Sequence, residues 1–328
     1  MAIDSDPAIS SLHLATLVDE ISTLQEGVEA FIALEESEAD ATGLYHRVLA
    51  TVHKLCASIV ACEDAGFTRE QIVRVLEPVR IIHARSEFVR RLQDWPRGYP
   101  GDFETVEHLC DGRSRAGRGT IEDICETYWL TRSIAQQHRN KVQHQATRIM
   151  STLLDHPGTA RIFSIACGGC PDLRRIAPQL PLLLGKLWLH DSDTEALMFS
   201  ARALTDVRDR THLRAGNAIK VVRQTAELGP RFDLVLAGGL FDYLPEKQAI
   251  DLIEHAWSLV RPGGTFFFTN IARGNPYRPL IEYFGDWFLI ERTEEDVVRM
   301  CNAAAIPTDR IEITREETGL TLLIDVHR

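Results

Sequence analysis

The stretch from Arg161 to Asp172, RIFSIACGGCPD, restricts what this chain can fold into more than any other. Ile162, Phe163, Ile165 and Ala166 make a short apolar run of the kind buried on both faces in a parallel sheet. Gly168 and Gly169 follow, and Pro171-Asp172-Leu173 opens a helical stretch with proline in its first turn. Strand, glycine turn and helix start together predict a nucleotide-binding loop. Glycine lets the backbone approach a ligand closely, and the helix N-terminus offers free N–H groups.

Further landmarks follow in order. Lys186 to His190 reads as a second strand ending in Asp191-Ser192-Asp193. An acidic residue at that strand end, here Asp191, can accept from both hydroxyls of a ribose, while Asp193 suits an N-cap. His212-Leu213-Arg214 leads through a third strand into Ala215-Gly216-Asn217-Ala218. Arg231 to Leu244 contains a fourth strand, and Ser258 to Asn270 a helix end, a Pro-Gly-Gly turn that stops it and a fifth strand. The tail from Asp309 reads as two strands around Glu316 to Gly319, a terminal hairpin. A dinucleotide dehydrogenase half normally continues with parallel strands instead.

This succession resembles the class I S-adenosylmethionine (SAM)-dependent methyltransferases. The resemblance implies an α/β fold, a Rossmann-like class I methyltransferase sheet with a terminal antiparallel hairpin, preceded by an all-α N-terminal domain. It also implies SAM as cofactor. Ala166 and Gly168 would then line the methionine part, Asp191 the ribose, and Asn217 and Ala218 the adenine edge. Gly238 would stand at the end of the fourth strand, where methyl and acceptor meet.

The 328 residues suggest two domains. Residues 1–119 read as an N-terminal helical domain carrying the GYPGD loop. Residues 120–328 read as the SAM-binding domain, with a linking helix over 120–155 and the sheet from 161. A net charge of −11 argues against a general nucleic-acid binder. No apolar run reaches the ~20 residues that span a bilayer, and the N-terminus MAIDSDPAIS lacks a signal-peptide pattern. The odd count of seven scattered cysteines shows no disulfide framework. The expectation is a cytoplasmic enzyme with a small-molecule acceptor, no metal, no nucleic acid and no membrane insertion, a homodimer being left open.

Leu12, Leu14, Leu17, Val18, Ile21 and Leu24 recur at helical spacing, as do Val48, Val52, Leu55 and Ile59. Thr68 and Gln71 form a capping-box pattern. Trp95 to Glu104, with two prolines and two glycines, cannot be regular structure, yet it holds three aromatics and two carboxylates. Gly112 to Gly119 reads as a basic surface loop, after which Thr120 caps one long helix running to about Leu154. The methyltransferase resemblance implies that this helix packs beside the cofactor, with Arg139 pairing the methionine carboxylate of SAM; an exposed ion pair is the alternative for Arg139, while His138 and His144 fit the surface.

Gly98-Tyr99-Pro100-Gly101-Asp102, the GLFDYL stretch from Gly239 to Leu244, and Asp286-Trp287-Phe288-Leu289-Ile290-Glu291-Arg292-Thr293 resemble elements of a bacterial methyltransferase family. That family includes synthases of 3-hydroxy fatty acid methyl esters. The likeness implies Tyr99, Asp102, Tyr243, Asn270 and Arg292 on the substrate side, with Tyr99 and Asp102 also reaching the cofactor. A carboxylate acceptor would need no base; an amine or hydroxyl could use Asp242, Asp286 or Tyr243. The acidic-or-amide, Pro-Pro, aromatic element of nucleic-acid amino-methyltransferases is missing after the fourth strand. The aromatics of the insertion (Tyr277, Tyr283, Phe284, Trp287, Phe288) suggest a pocket cap or plain packing. Cys167 and Cys170 also fit a redox or zinc site, though no second close pair exists. An NAD-dependent oxidoreductase and a SAM-binding sensor or scaffold remain the alternatives.

Overall fold

The structure, a computed structural model, describes the backbone of residues 7–328 and the side chains from residue 17 onward, that of Leu228 excepted. Residues 1–6, read above for a signal peptide, lie outside it, as do the side chains of Leu12 and Leu14. The helices before the first strand are α1 (Pro7–Ile32), α2 (Ala41–Asp64), α3 (Arg69–His83), α4 (Glu87–Asp94), α5 (Phe103–Asp111), α6 (Ile121–Thr131) and α7 (Ser133–Asp155). There follow β1 (Ala160–Ile165), α8 (Pro171–Arg175), β2 (Gly185–Asp191), α9 (Thr194–Ala203), β3 (Thr211–Ala215), α10 (Ala218–Leu228) and β4 (Phe232–Ala237). The chain ends with α11 (Glu246–Leu259), β5 (Val260–Ile271), α12 (Arg278–Gly285), α13 (Glu294–Ala303), β6 (Ile311–Arg315) and β7 (Thr321–His327).

These elements form two compact units interleaved along the chain. One comprises Met1–Gly101, Gly112–Arg132 and Pro276–Phe288; the other comprises Asp102–Asp111, Ser133–Asn275 and Leu289–Arg328. The sequence boundary at residue 119 falls inside the second stretch of the helical unit.

In the helical unit, Leu24, Val28 and Phe31 of α1 and Val48, Val52, Leu55 and Ile59 of α2 are buried. Val18 departs from the expected apolar face and is 56% exposed, because Leu24, Val28 and Phe31 set the buried stripe on another side. Thr68 and Gln71 complete their reciprocal cap on α3. His83 is fully buried, stacked on Phe31, and its Nδ1 accepts from the Trp129 indole N–H at 3.1 Å.

One expectation is corrected here. The single helix from Thr120 is two helices, because Arg132 leaves the helical region at φ −72°, ψ 158°. The Thr131 hydroxyl donates to Thr127 O, the Arg132 guanidinium donates to the Tyr45 hydroxyl, and it lies over the Tyr45 and Tyr128 rings. Local polar and cation–π contacts thus outcompete a continued helix. In the insertion, Tyr283 and Phe284 take the plain-packing reading and belong to the core of this unit. Phe284 meets His83 edge-on at 5.3 Å, and Gly285 sits where a Cβ would be 3.1 Å from both Leu92 and Trp129.

The other unit is a seven-stranded sheet in the order β3-β2-β1-β4-β5-β7-β6. β3, β2, β1, β4 and β5 are parallel, and β7 runs antiparallel between β5 and β6. All six residues of β4 are buried, as a strand covered on both faces requires. Phe163, Val235, Phe266 and Phe268 belong to one core cluster, together with Ala249, Leu252 and Ile253 of α11. Leu234, Leu236 and Phe267 belong to the other, with Ala146 and Ile149 of α7. The Pro-Gly-Gly stretch is a bulge inside β5 rather than the turn ahead of it. Phe232 pairs with Val260, but Leu234 pairs with Thr265, so the residues between are extruded. A Cβ at Gly264 would lie 2.7 Å from the Asp233 carbonyl oxygen.

Candidate active site

The ends of β1, β2 and β3 are tied together by two side chains. The Ala166 N–H donates to His190 Nδ1 at 3.3 Å, and His190 Nε2 lies 3.0 Å from Gly216 O. Both contacts are satisfied when the neutral ring carries its hydrogen on Nε2. Asp191 accepts from the Gly168 N–H at 2.8 Å on one oxygen and from the Asp193 N–H at 2.9 Å on the other. Each oxygen retains lone-pair capacity, so the carboxylate can still accept from a vicinal diol. Asp193 caps α9, as expected from the sequence.

The loop between β1 and α8 is conformationally expensive. Ala166, Gly168 and Cys170 have φ of 51°, 53° and 50°, in the left-handed region where only glycine rests without cost. Two non-glycine residues there mark stored strain of the sort that concentrates at ligand sites. Gly169 has a packing reason instead. A Cβ there would fall 2.5 Å from Glu107 Oε1 and 3.1 Å from the Phe199 ring. Arg174 fastens this arrangement by donating to Glu107 and, at 2.9 Å, to Gly169 O. Helix α5 therefore packs on the glycine loop, an element the sequence pattern did not single out.

Asp102 is 1% exposed and accepts from the Thr105 N–H at 2.9 Å at the start of α5. The GYPGD stretch is divided between the units after Gly101, leaving Tyr99 in the helical one. Arg139 is half-buried, donating to Leu109 O at 3.0 Å and to Gln136 Oε1 at 2.8 Å, and desolvation lowers its pKa. Asn217 caps α10 through Lys220 N–H at 3.2 Å, so its oxygen has a structural use, and Ala218 begins that helix. Cys167 and Cys170 are free thiols joined by a turn hydrogen bond at 2.9 Å. Hydrogen bonding to Cys170 and burial push the Cys167 thiol well up. Among the described residues no group of three or more His, Cys, Asp or Glu is arranged to hold a metal.

Beyond β4, the expected acceptor-side residues form a buried polar network. Asp242 Oδ1 accepts from the Ile271 N–H at 2.6 Å, and Oδ2 faces Lys141 Nζ at 3.4 Å. Arg292 donates to Phe241 O at 2.7 Å, to Leu244 O and to Asn270 Oδ1, while Asn270 donates to Ile290 O at 2.8 Å. Asp242, Arg292 and Asn270, read from the sequence as acceptor-side groups, thus each have structural partners here. Their polar atoms hold the 3₁₀ turn Leu240–Tyr243 against the end of β5 and the 289–292 segment. Asp286, read as a possible base, sits in the helical unit between Arg69 and Arg80, the latter at 2.6 Å. Tyr243 is half-buried at the end of the 3₁₀ turn. Gly238 faces α7, where a Cβ would collide with the Gln145 amide at 2.1 Å.

Helix α7 supplies what sequence reading missed. Gln137, Lys141 and Gln145, at helical spacing, are 6%, 3% and 8% exposed. A polar stripe facing inward breaks the usual amphipathic rule, and it was visible in the sequence as a gap in the apolar pattern. His138 corrects its surface reading, since its Nε2 is buried and burial lowers its pKa to about 3. His144, by contrast, is partly exposed and lies 3.2 Å from Glu317.

No protein-family model matches the sequence, and neither does any curated protein. Similar solved structures exist. A possible exported protein from Bordetella parapertussis aligns over 98% of this chain and 99% of its own, at 14% identity and a TM-score of 0.54. Magnesium protoporphyrin IX methyltransferase from Synechocystis, with bound SAH, covers 60% of this chain and 88% of its own, at 14% identity and TM-score 0.43. A TehB-like SAM-dependent methyltransferase from Corynebacterium glutamicum covers 60% and 96%, at 13% identity and TM-score 0.39. The likeness is one of fold. With its reversed β7 beside β5, the sheet is the Rossmann-like arrangement with a terminal antiparallel hairpin expected from the sequence.

The histidines give this chain a definite pH response. Burial lowers the pKa of His190, and those of His83 and His138 to about 3. Below the unfolded value near 6.5, the unfolded chain takes up protons that the folded chain refuses. Stability is therefore full above pH ~6.5 and falls with pH, by up to about 1.4 kcal/mol per histidine per unit. Asp172, raised by burial to about 6, works oppositely: below pH 6 the folded state holds its proton more tightly. It offsets about one histidine between pH 6 and 4. Urea unfolding between pH 7.5 and 5 should show a falling midpoint, and a flat profile would refute these assignments.

Proposed function

We propose that this chain is a SAM-dependent methyltransferase acting on a small molecule, either a fatty-acid-like carboxylate or an oxygen or nitrogen of another metabolite. The observation that carries the reading is the Asp191 carboxylate, buried at the end of β2, bonded to the glycine-loop N–H and left with capacity for a diol. It stands in a sheet whose last pair is antiparallel, which a dinucleotide dehydrogenase half would not have. No helix among the described residues is long and apolar enough to cross a membrane.

SAM, when bound, supplies a methyl group on a sulfonium leaving group, so the chain mainly binds, orients and excludes water. Asp191 would hold the ribose hydroxyls. The backbone at Ala166 and Gly168 would line the amino-acid end, with Asn217 and Ala218 at the adenine. Tyr243 is the candidate acceptor-side hydroxyl beyond β4. The engagement of Asp242 with Ile271 and Lys141 favours an acceptor that needs no base, such as a carboxylate.

Isothermal calorimetry with S-adenosylhomocysteine (SAH) and with NAD⁺ tests this first. Binding of SAH in the micromolar range or tighter, with none for NAD⁺, is the expected result. Tritiated-methyl transfer to a panel of carboxylic acids, alcohols and amines then reads out catalysis. Binding of NAD⁺ in preference to SAH would overturn the assignment, and SAH binding without transfer to any acceptor would leave a sensor.

A further inference from the structure

The polar stripe of α7 lies over the end of β4 and the start of β7, which pairs antiparallel with the end of β5. Gln145 covers Gly238, the residue after β4, and Gln137 Oε1 accepts from Thr321 Oγ1 at 2.6 Å. Lys141 lies between them, and a Cβ at Gly239 would be 3.8 Å from its Nζ. Its ammonium carries three donors, and its partner is Asp242 at 3.4 Å, well beyond the 2.7–2.9 Å of a good charge-assisted bond. Two donors of a side chain only 4% exposed have no partner among the described residues.

A buried ammonium so weakly coordinated is expensive. Two neighbouring atoms share the deficit. Thr269 is fully buried and its Oγ1 has no hydrogen-bond partner among the described residues. It shares the β5 face of Phe267, whose ring lies under the Arg148 guanidinium of α7 at 4.0 Å. His138 Nε2, one turn before Lys141, is likewise buried and unpartnered. A cation with spare donors thus lies where two glycines, Gly238 and Gly239, leave the end of β4 without side chains, and register puts the unpartnered Thr269 beside Gly238 on the neighbouring strand.

We propose that Lys141, with Gln145 and Thr269, forms a carboxylate-binding niche at the ends of β4 and β5 that anchors the acidic group of a ligand. The proposal rests on the methyltransferase reading and goes beyond it in naming the group bound and the cation that binds it. Two carboxylates meet the chemistry: that of the acceptor, and that of the cofactor's amino-acid end. Lys141 would act as a positioning and specificity residue in either case.

The test uses the full-length protein and the paired variant Lys141→Met/Asp242→Asn, in which neither buried charge is stranded and the Ile271 N–H keeps an oxygen partner. Circular dichroism and thermal melting establish that it folds. Calorimetry compares SAH with 5′-methylthioadenosine, which lacks the carboxylate. Hexanoate and benzoate are titrated against their neutral amides, with and without SAH. If the cofactor is anchored, SAH should exceed methylthioadenosine by tenfold or more in the wild type and lose that margin in the variant. If the acceptor is anchored, the acids should bind at least tenfold better than the amides in the wild type only. Equal behaviour of wild type and variant in both comparisons would overturn the niche. Failure of SAH to bind wild-type protein would instead sink the methyltransferase reading, while the acid-against-amide comparison would still decide the niche. Should the paired variant not fold, Lys141→Arg, which keeps the charge but alters its reach, is measured in the same comparisons; unchanged margins there would count against the niche.

Discussion

Asp191→Ala should weaken SAH binding by more than a hundredfold. Its carboxylate is expected to accept two ribose hydroxyls, at about 1.5–3 kcal/mol for the first charged-group bond and less for the next. It also holds the Gly168 and Asp193 N–H groups, so its loss frees the glycine loop from the end of β2. The sum is about 3 kcal/mol or more, above two decades in Kd. Asp191→Asn, which keeps an acceptor oxygen, should lose less. Calorimetry on folded protein measures both, and wild-type affinity in Asp191→Ala would remove Asp191 from the cofactor site.

The largest effect on stability is expected at the buried pair beyond β4. Asp242→Ala strands the Lys141 ammonium and leaves the Ile271 N–H without its partner. Breaking a buried pair from one side costs about 3–5 kcal/mol, because the remaining charge cannot be resolvated. The paired variant Lys141→Met/Asp242→Asn should recover most of that loss, since replacing both charges avoids the stranded ion. Urea denaturation of the two proteins decides the matter. A single variant as stable as the wild type would show that Lys141 reaches water or another anion on its own.

Much of the sheet was legible because burial on both faces leaves a plain mark. A short run such as Phe232–Ala237, apolar but for Asp233, is too short for a core helix and fits a strand covered on both sides. The glycines, the acidic end of β2 and the terminal hairpin punctuate such runs in order. The caps at Thr68, Thr120 and Asp193 were legible for a similar reason: each is a local hydrogen bond between residues two or three apart. The break at Arg132 was not, because it depends on Tyr45, 87 residues away.

The site residues divide along the same line. The order of residues alone is enough to place an acidic side chain at the end of β2 and glycine in the turn after β1, and to group Asp242, Asn270 and Arg292 as parts of one motif. What their atoms do is settled by packing. A carboxylate or guanidinium has the same letter whether it faces a ligand or a backbone carbonyl, and burial is set by elements distant in the chain. Thus Arg292 and Asn270 serve the turn after β4, and Asp286 neutralises two arginines of the helical unit. Lys141 had no motif to announce it. Its significance comes from low exposure and spare donors, and both are properties of the packed chain rather than of its order.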